Sequence, residues 1–172
     1  MKKKILYVGL DVHKKSIDVA LANGRVNGKV RSYGKIDGSL DALDKLIDKL
    51  QSNDSVLEFV YEAGPCGYPI YRHLDSKGYK CCVVAPSMIP KRSGDRIKTD
   101  RRDAINLVRL YRAGELSCIY VPSKEDEAMR DLVRSRDDFK RFERKARQRL
   151  LSFLLRHGLE FAGKKNWTKT HM

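Results

Sequence analysis

The chain has no long apolar run. No stretch of its 172 residues approaches the roughly 18 apolar side chains that a membrane-crossing helix needs, so a helical membrane protein is excluded. It also lacks a signal-peptide core. The start is basic, but Asp11, His13, Lys14 and Lys15 interrupt the apolar stretch that follows. Cysteine is scarce: Cys66, Cys81, Cys82 and Cys118 include no C-x-x-C pair, so no disulfide framework is expected. A reduced, cytoplasmic setting without a membrane is the expectation. No Walker-type or G-x-G-x-x-G loop is present, which removes the usual backbone cradles for nucleotide phosphates.

Hydrophobic residues make up 41% of the chain and fall in ordered clusters, which excludes disorder. The length suits one domain plus an appendage, since roughly 100–200 residues make a domain. Basic side chains outnumber acidic ones, 36 against 22, for a net charge of +14. The surplus is uneven. Residues 1–90 hold 14 basic and 10 acidic side chains, and residues 91–172 hold 22 and 12. Such asymmetry points to a polyanion partner for the second half, through phosphate neutralisation and counterion release. A solvated basic face is the plain alternative, and charge alone does not decide between them.

Periodicity gives the elements. Lys4–Leu10 reads as a buried strand, Ser16–Ala22 as a second and Lys29–Ile36 as a third, with turn pairs at Asn23-Gly24 and Asn27-Gly28. A helix follows, capped by Ser39 and carrying Leu40, Leu43, Leu46, Ile47 and Leu50 on one face. Ser55–Tyr61 is a fourth strand, Tyr68–Lys77 a helix and Tyr79–Ala85 a fifth strand. A meander followed by alternating strands and helices predicts an α/β fold with a mixed sheet. After a basic connection, a helix is expected from Thr99 to about Arg112, and a long one from about Glu125 to Arg156. The long helix carries a narrow seam of Ala128, Leu132, Ser135, Phe139, Phe142, Ala146, Leu150 and Phe153, spaced like a coiled coil.

Four acids stand at special places. Asp11 ends the first strand and Glu62 the fourth, where α/β sheets open onto a crevice. Asp100 and Asp103 are three residues apart at the start of a helix, so they share one side of it. Carboxylates that close repel unless a cation compensates, and oxygen ligands suit Mg²⁺ or Mn²⁺. Two such ions roughly 4 Å apart would serve phosphoryl transfer. Each acid taken singly has an ordinary explanation as a strand end, an ion-pair partner or a helix N-terminal charge. Lys98, Arg101 and Arg102 flank the acid pair and either contact phosphate or neutralise the carboxylates. His13 either approaches Asp11 or is an exposed turn histidine.

The segments Tyr7-Val-Gly-Leu-Asp11-Val-His-Lys-Lys, Tyr61-Glu62-Ala-Gly-Pro-Cys-Gly-Tyr and Lys98-Thr-Asp100-Arg-Arg-Asp103-Ala resemble the three acidic motifs of the DEDD insertion-sequence transposases. These form the IS-one-ten group, related to Piv-type DNA invertases. The resemblance spans nearly the whole chain, including Arg156-His157-Gly158 and Lys164-Lys165-Asn166-Trp167-Thr168. It implies a ribonuclease-H-like (RuvC-like) domain over residues 1–114, with a linker and long basic helix over 115–172. It implies Asp11, Glu62, Asp100 and Asp103 as Mg²⁺-binding catalytic acids for DNA cleavage and strand transfer. Family members carry a C-terminal domain with a serine implicated in a covalent link to DNA. That domain is expected beyond Met172, and no serine here is assigned its role.

Nine basic residues crowd the long helix between Arg130 and Arg149, interleaved with four acids. Arg134, Lys140, Arg141, Arg144 and Lys145 are expected to face DNA, or the structured, guide-like RNA that resembling enzymes are thought to use. The apolar seam is expected to self-associate or to link domains. Two rival readings stand beside the transposase. One is a non-catalytic nucleic-acid-binding module. The other is an actin-like kinase or ATPase, whose phosphate turn is replaced here by Val12-His13-Lys14.

Overall fold

In a computed structural model, the described residues are 4–24, 28–51, 55–90, 100–163 and 166–168, with the side chains of Asp100 and Arg101 left aside. Lys98, Thr99, Asn27, Lys164 and Lys165 lie outside them. The N-terminal meander is β1 (Lys4–Val12), β2 (Ser16–Asn23) and β3 (Val30–Asp37). Helix α1 (Leu40–Gln51), strand β4 (Ser55–Glu62), helix α2 (Pro69–Ser76) and strand β5 (Lys80–Val84) follow. Helix α3 covers Asp100–Ala113 and α4 covers Lys124–Arg156. The sheet order is β3-β2-β1-β4-β5. β2 is antiparallel to both β1 and β3, while β4 is parallel to both β1 and β5. The mixed sheet with flanking helices and a long following helix is therefore observed.

Each sheet face is covered by different helices, because side chains alternate along a strand. One face presents Val8, Leu10, Ile17, Val19, Leu21, Leu57, Phe59 and Tyr61. It is closed by Leu43, Leu46, Ile47 and Leu50 of α1 with Ile70 and Leu74 of α2. The other face is built of small residues near its centre. Ala20 and Ala22 meet Ala104 and Val108 of α3, and Val60, Cys82 and Val84 meet Leu107. Gly9 lies in that small-residue strip, where an added Cβ would stand 2.7 Å from the Ala104 carbonyl oxygen. The strip lets α3 lie nearly on the backbone.

The chain divides into two compact units, Met1–Val121 and Pro122–Met172. In the first, the segment after α3 runs beside β5, where Ile119 N–H donates to the Val83 carbonyl at 2.8 Å. Cys118 of that segment is disulfide-bonded to Cys82. This corrects the expectation of a chain without a cysteine pair. The partners are 36 residues apart, a separation that carries no local signature, and only the return of the chain to β5 brings them together. In the second unit α4 is capped by Ser123, whose hydroxyl accepts from Asp126 N–H at 3.0 Å. None of its residues is buried, and Leu132, Phe139, Phe142, Leu150 and Phe153 are exposed.

Candidate active site

Strand register builds the site. Leu10 pairs with Tyr61 across β1 and β4, and both enter the core under α1 and α2. The next residue on each strand, Asp11 and Glu62, must then face the opposite side together. On the other flank Asp11 pairs with Asp18 of β2, and Asp18 pairs with Lys35 of β3. Glu62 pairs with Val84 of β5. One row across the α3-covered face thus reads Lys35, Asp18, Asp11, Glu62, Val84.

Helix α3 aims its first turn at this row. Ala104 sits against Gly9, two residues before Asp11 on the same face. Farther along α3, Tyr111 packs edge-on against Tyr7 with ring centroids 5.6 Å apart, and Arg112 hydrogen-bonds the Gly28 carbonyl. The helix therefore runs antiparallel to β1, and its N-terminal residues Asp100 and Asp103 belong to the end where Asp11 and Glu62 emerge. Asp103 and Arg102 are exposed there. Glu62 is exposed as well, and Asp11 is half-buried.

His13 approaches Asp11, with Nε2 3.1 Å from Oδ2. The β1–β2 turn bends it back, fixed by a 2.9 Å bond from His13 N–H to the Ser16 carbonyl. After Glu62 the chain turns tightly, with Ala63 N–H donating to the Val84 carbonyl at 2.8 Å and Gly67 N–H to the Gly64 carbonyl at 3.0 Å. Gly67 has φ +65°, a conformation that favours glycine. The Tyr61 hydroxyl donates to its carbonyl at 3.3 Å, and burial raises that phenol's pKa. Burial likewise pushes the Cys81 thiol up to about 12.

The donor chemistry fits a hard divalent cation, since the row and the helix start offer carboxylate oxygens. Among the described residues no three carboxylate, imidazole or thiolate groups already stand close enough together to hold one. On α4, Arg134 pairs with Asp131 at 3.9 Å and Arg141 with Asp138 at 3.8 Å. Lys140, Arg144 and Lys145 are exposed. Arg147 stacks over Trp167 at 5.2 Å. Reasoning from sequence passed over Asp18 and Lys35. The available signal was the place of Asp18 in an otherwise apolar strand, Ile17 to Ala22.

These features define an α/β domain whose carboxylates emerge at the ends of adjacent parallel strands. A family model for transposases of the DEDD type (IS110) matches residues 8–158, and the chain belongs to that family. The protein named "Putative transposase y4qE" of Sinorhizobium fredii is 45% identical over 166 residues, which is 96% of this chain and 43% of that one. The transposase for insertion sequence element IS1533 of Leptospira borgpetersenii is 41% identical over 175 residues, 99% of this chain and 49% of that one. The chain thus spans less than half the length of these two relatives. Among solved structures, Thermus thermophilus RuvC aligns with a TM-score of 0.44 at 9% identity, covering 67% of this chain and all of that one. The same protein in complex with a Holliday junction substrate aligns at 0.43 and 8%, with the same coverage.

Proposed function

We propose that this chain is the catalytic domain of an insertion-sequence transposase, and that DNA is cut and its strands transferred at the acid row. The observation that carries this reading is the register that sets Asp11 beside Glu62, at the end of the sheet where α3 begins with Asp100 and Asp103. Those four residues would hold Mg²⁺ or Mn²⁺, which relieves the repulsion of their carboxylates. A bound divalent cation supplies Lewis-acid charge to a phosphodiester and lowers the pKa of its water.

The chain's own residues supply the rest. Asp11 and Glu62 present oxygens from rigid strands, which holds geometry better than a loop would. His13, in contact with Asp11 at 3.1 Å, orients that carboxylate. Arg101 and Arg102, with Lys98 before them, bring positive charge to the substrate backbone. Arg134, Lys140, Arg141, Arg144 and Lys145 offer α4 to DNA or to a structured, guide-like RNA. The exposed seam of α4 joins two copies of the chain. We place the work in the cytoplasm, where the Cys82–Cys118 pair would be kept as thiols by the reducing setting; among the described residues no helix is long and apolar enough to cross a membrane.

Metal-dependent thermal stability tests the site. At a hundredfold excess over Kd a bound ion adds about 2.7 kcal/mol. Mn²⁺ is expected to raise the melting midpoint of the parent but not of Asp11→Asn or Glu62→Gln. An equal response in all three sinks the metal site and leaves the non-catalytic nucleic-acid-binding module.

A further inference from the structure

Asp18 is the one charged side chain buried among the described residues, at 8% exposure. Burying a carboxylate is costly unless it is paired and hydrogen-bonded. No hydrogen bond reaches its Oδ2 among the described residues. What stands there is Lys35 Nζ, 3.1 Å away at ion-pair distance. As a brace for the sheet this is a poor arrangement, because an apolar residue between Ile17 and Val19 would stabilise the strand better. As a device for holding a lysine at a chosen place it is effective.

That place is at the row. Asp11 pairs with Asp18 and Asp18 with Lys35, so all three side chains share one face. Strands lie about 4.8 Å apart, which puts the Lys35 backbone about 10 Å from that of Asp11. β3 is the outer strand, and the Lys35 side chain is 53% exposed. A row of carboxylates repels the phosphodiester it has to handle, and a lysine fixed at its open end offsets this.

We propose that Lys35 is a phosphate-binding residue of this site, gripping the backbone of a DNA strand laid along the acid row. Asp18 is the positioning residue that holds its ammonium there. The proposal rests on the row being the DNA-processing site. The competing account is an ion pair that only neutralises a buried acid, and the two differ in sign.

The test is binding of a fluorescein-labelled DNA duplex to the 172-residue chain, followed by anisotropy over a salt series without divalent cations. Lys35→Met is expected to weaken binding and to shrink the slope of log K against log salt by about 0.9, one phosphate contact. Lys35→Arg should keep the slope. So should Lys77→Met, a lysine paired with Asp44 on the α1 and α2 side of the sheet. Asp18→Asn removes a negative charge, so Coulomb repulsion alone predicts tighter binding. Positioning predicts weaker binding, with no further loss when Lys35→Met is added.

An unchanged slope in Lys35→Met overturns the phosphate contact. Unchanged or tighter binding by Asp18→Asn overturns the positioning role. Should Asp18→Asn fail to fold, the two Lys35 variants decide. The Mn²⁺ response of Asp11→Asn, measured alongside, separates the two readings. If it equals the parent's, the site reading falls and this inference with it. If it is lost while Lys35→Met keeps the parent's slope, only this inference falls.

Discussion

A methyl group at Gly9 would stand 2.7 Å from the Ala104 carbonyl oxygen and 2.8 Å from Val108 Cβ. Neither contact is tolerable, and the Ala104 oxygen is backbone, so α3 itself would have to move. Overpacking of this kind costs about 1–3 kcal/mol. Gly9→Ala should therefore lower the thermal midpoint and, by displacing the helix that carries Asp103, weaken the Mn²⁺ response expected of the proposed site. A midpoint equal to the parent's would show that α3 has slack. Asp44 gives a pH prediction. The Lys77 and His73 side chains bond its carboxylate at 2.6 and 2.7 Å, and hold its pKa below the ordinary carboxylate value. A folded-state pKa below the unfolded one gives stability that is present above the unfolded value and lost as pH falls through the folded one. Asp44→Asn should thus be less stable than the parent at neutral pH. Acid titration of both should show the difference vanish below the carboxylate range.

At the scale of elements, α4 tests how far a helix stands on its own signals. Glu125, Asp126 and Glu127 in its first turn and Arg156 in its last complement the helix dipole. Ser123 caps it through Asp126 N–H, and loss of such a cap costs about 1 kcal/mol. Ser123→Ala should therefore speed amide hydrogen exchange at Asp126 about fivefold, the factor that this energy corresponds to. The seam carries a different prediction. Phe139 is 72% exposed and Phe142 65%, and a stripe of that kind is covered in coiled coils by a second helix. Sedimentation of the parent should show a dimer, and Phe139→Glu with Phe142→Glu a monomer. A monomeric parent would remove self-association from the proposed function.

For the whole molecule, the Cys82–Cys118 bond closes a loop of 36 residues that contains α3 and the approach to it. Loop-closure entropy puts its contribution near 4 kcal/mol. Chemical denaturation with and without a reducing thiol should differ by about that amount, and Cys118→Ser should match the reduced parent. The bond ties the chain after α3 to the strand beside β4, so its loss loosens the unit that carries Glu62 and the acid pair together.

The elements were legible because their signals are local. Strand alternation in Ser16–Ala22, the leucine spacing of α1 and the cap and seam of α4 all lie within a few residues of chain. Asp11, Glu62, Asp100 and Asp103 stood out for their positions at element ends and for the motifs around them. The sequence by itself determined these elements, the mixed character of the sheet and the family. It could not determine neighbours across strands. That β1 lies between β2 and β4 is a tertiary fact, and with it come the row from Lys35 to Glu62 and the buried Asp18. The Cys82–Cys118 pair is of the same kind. Local propensity acts over one turn or one strand, whereas these juxtapositions appear only when burial of two sheet faces fixes the order and register of segments distant in the chain.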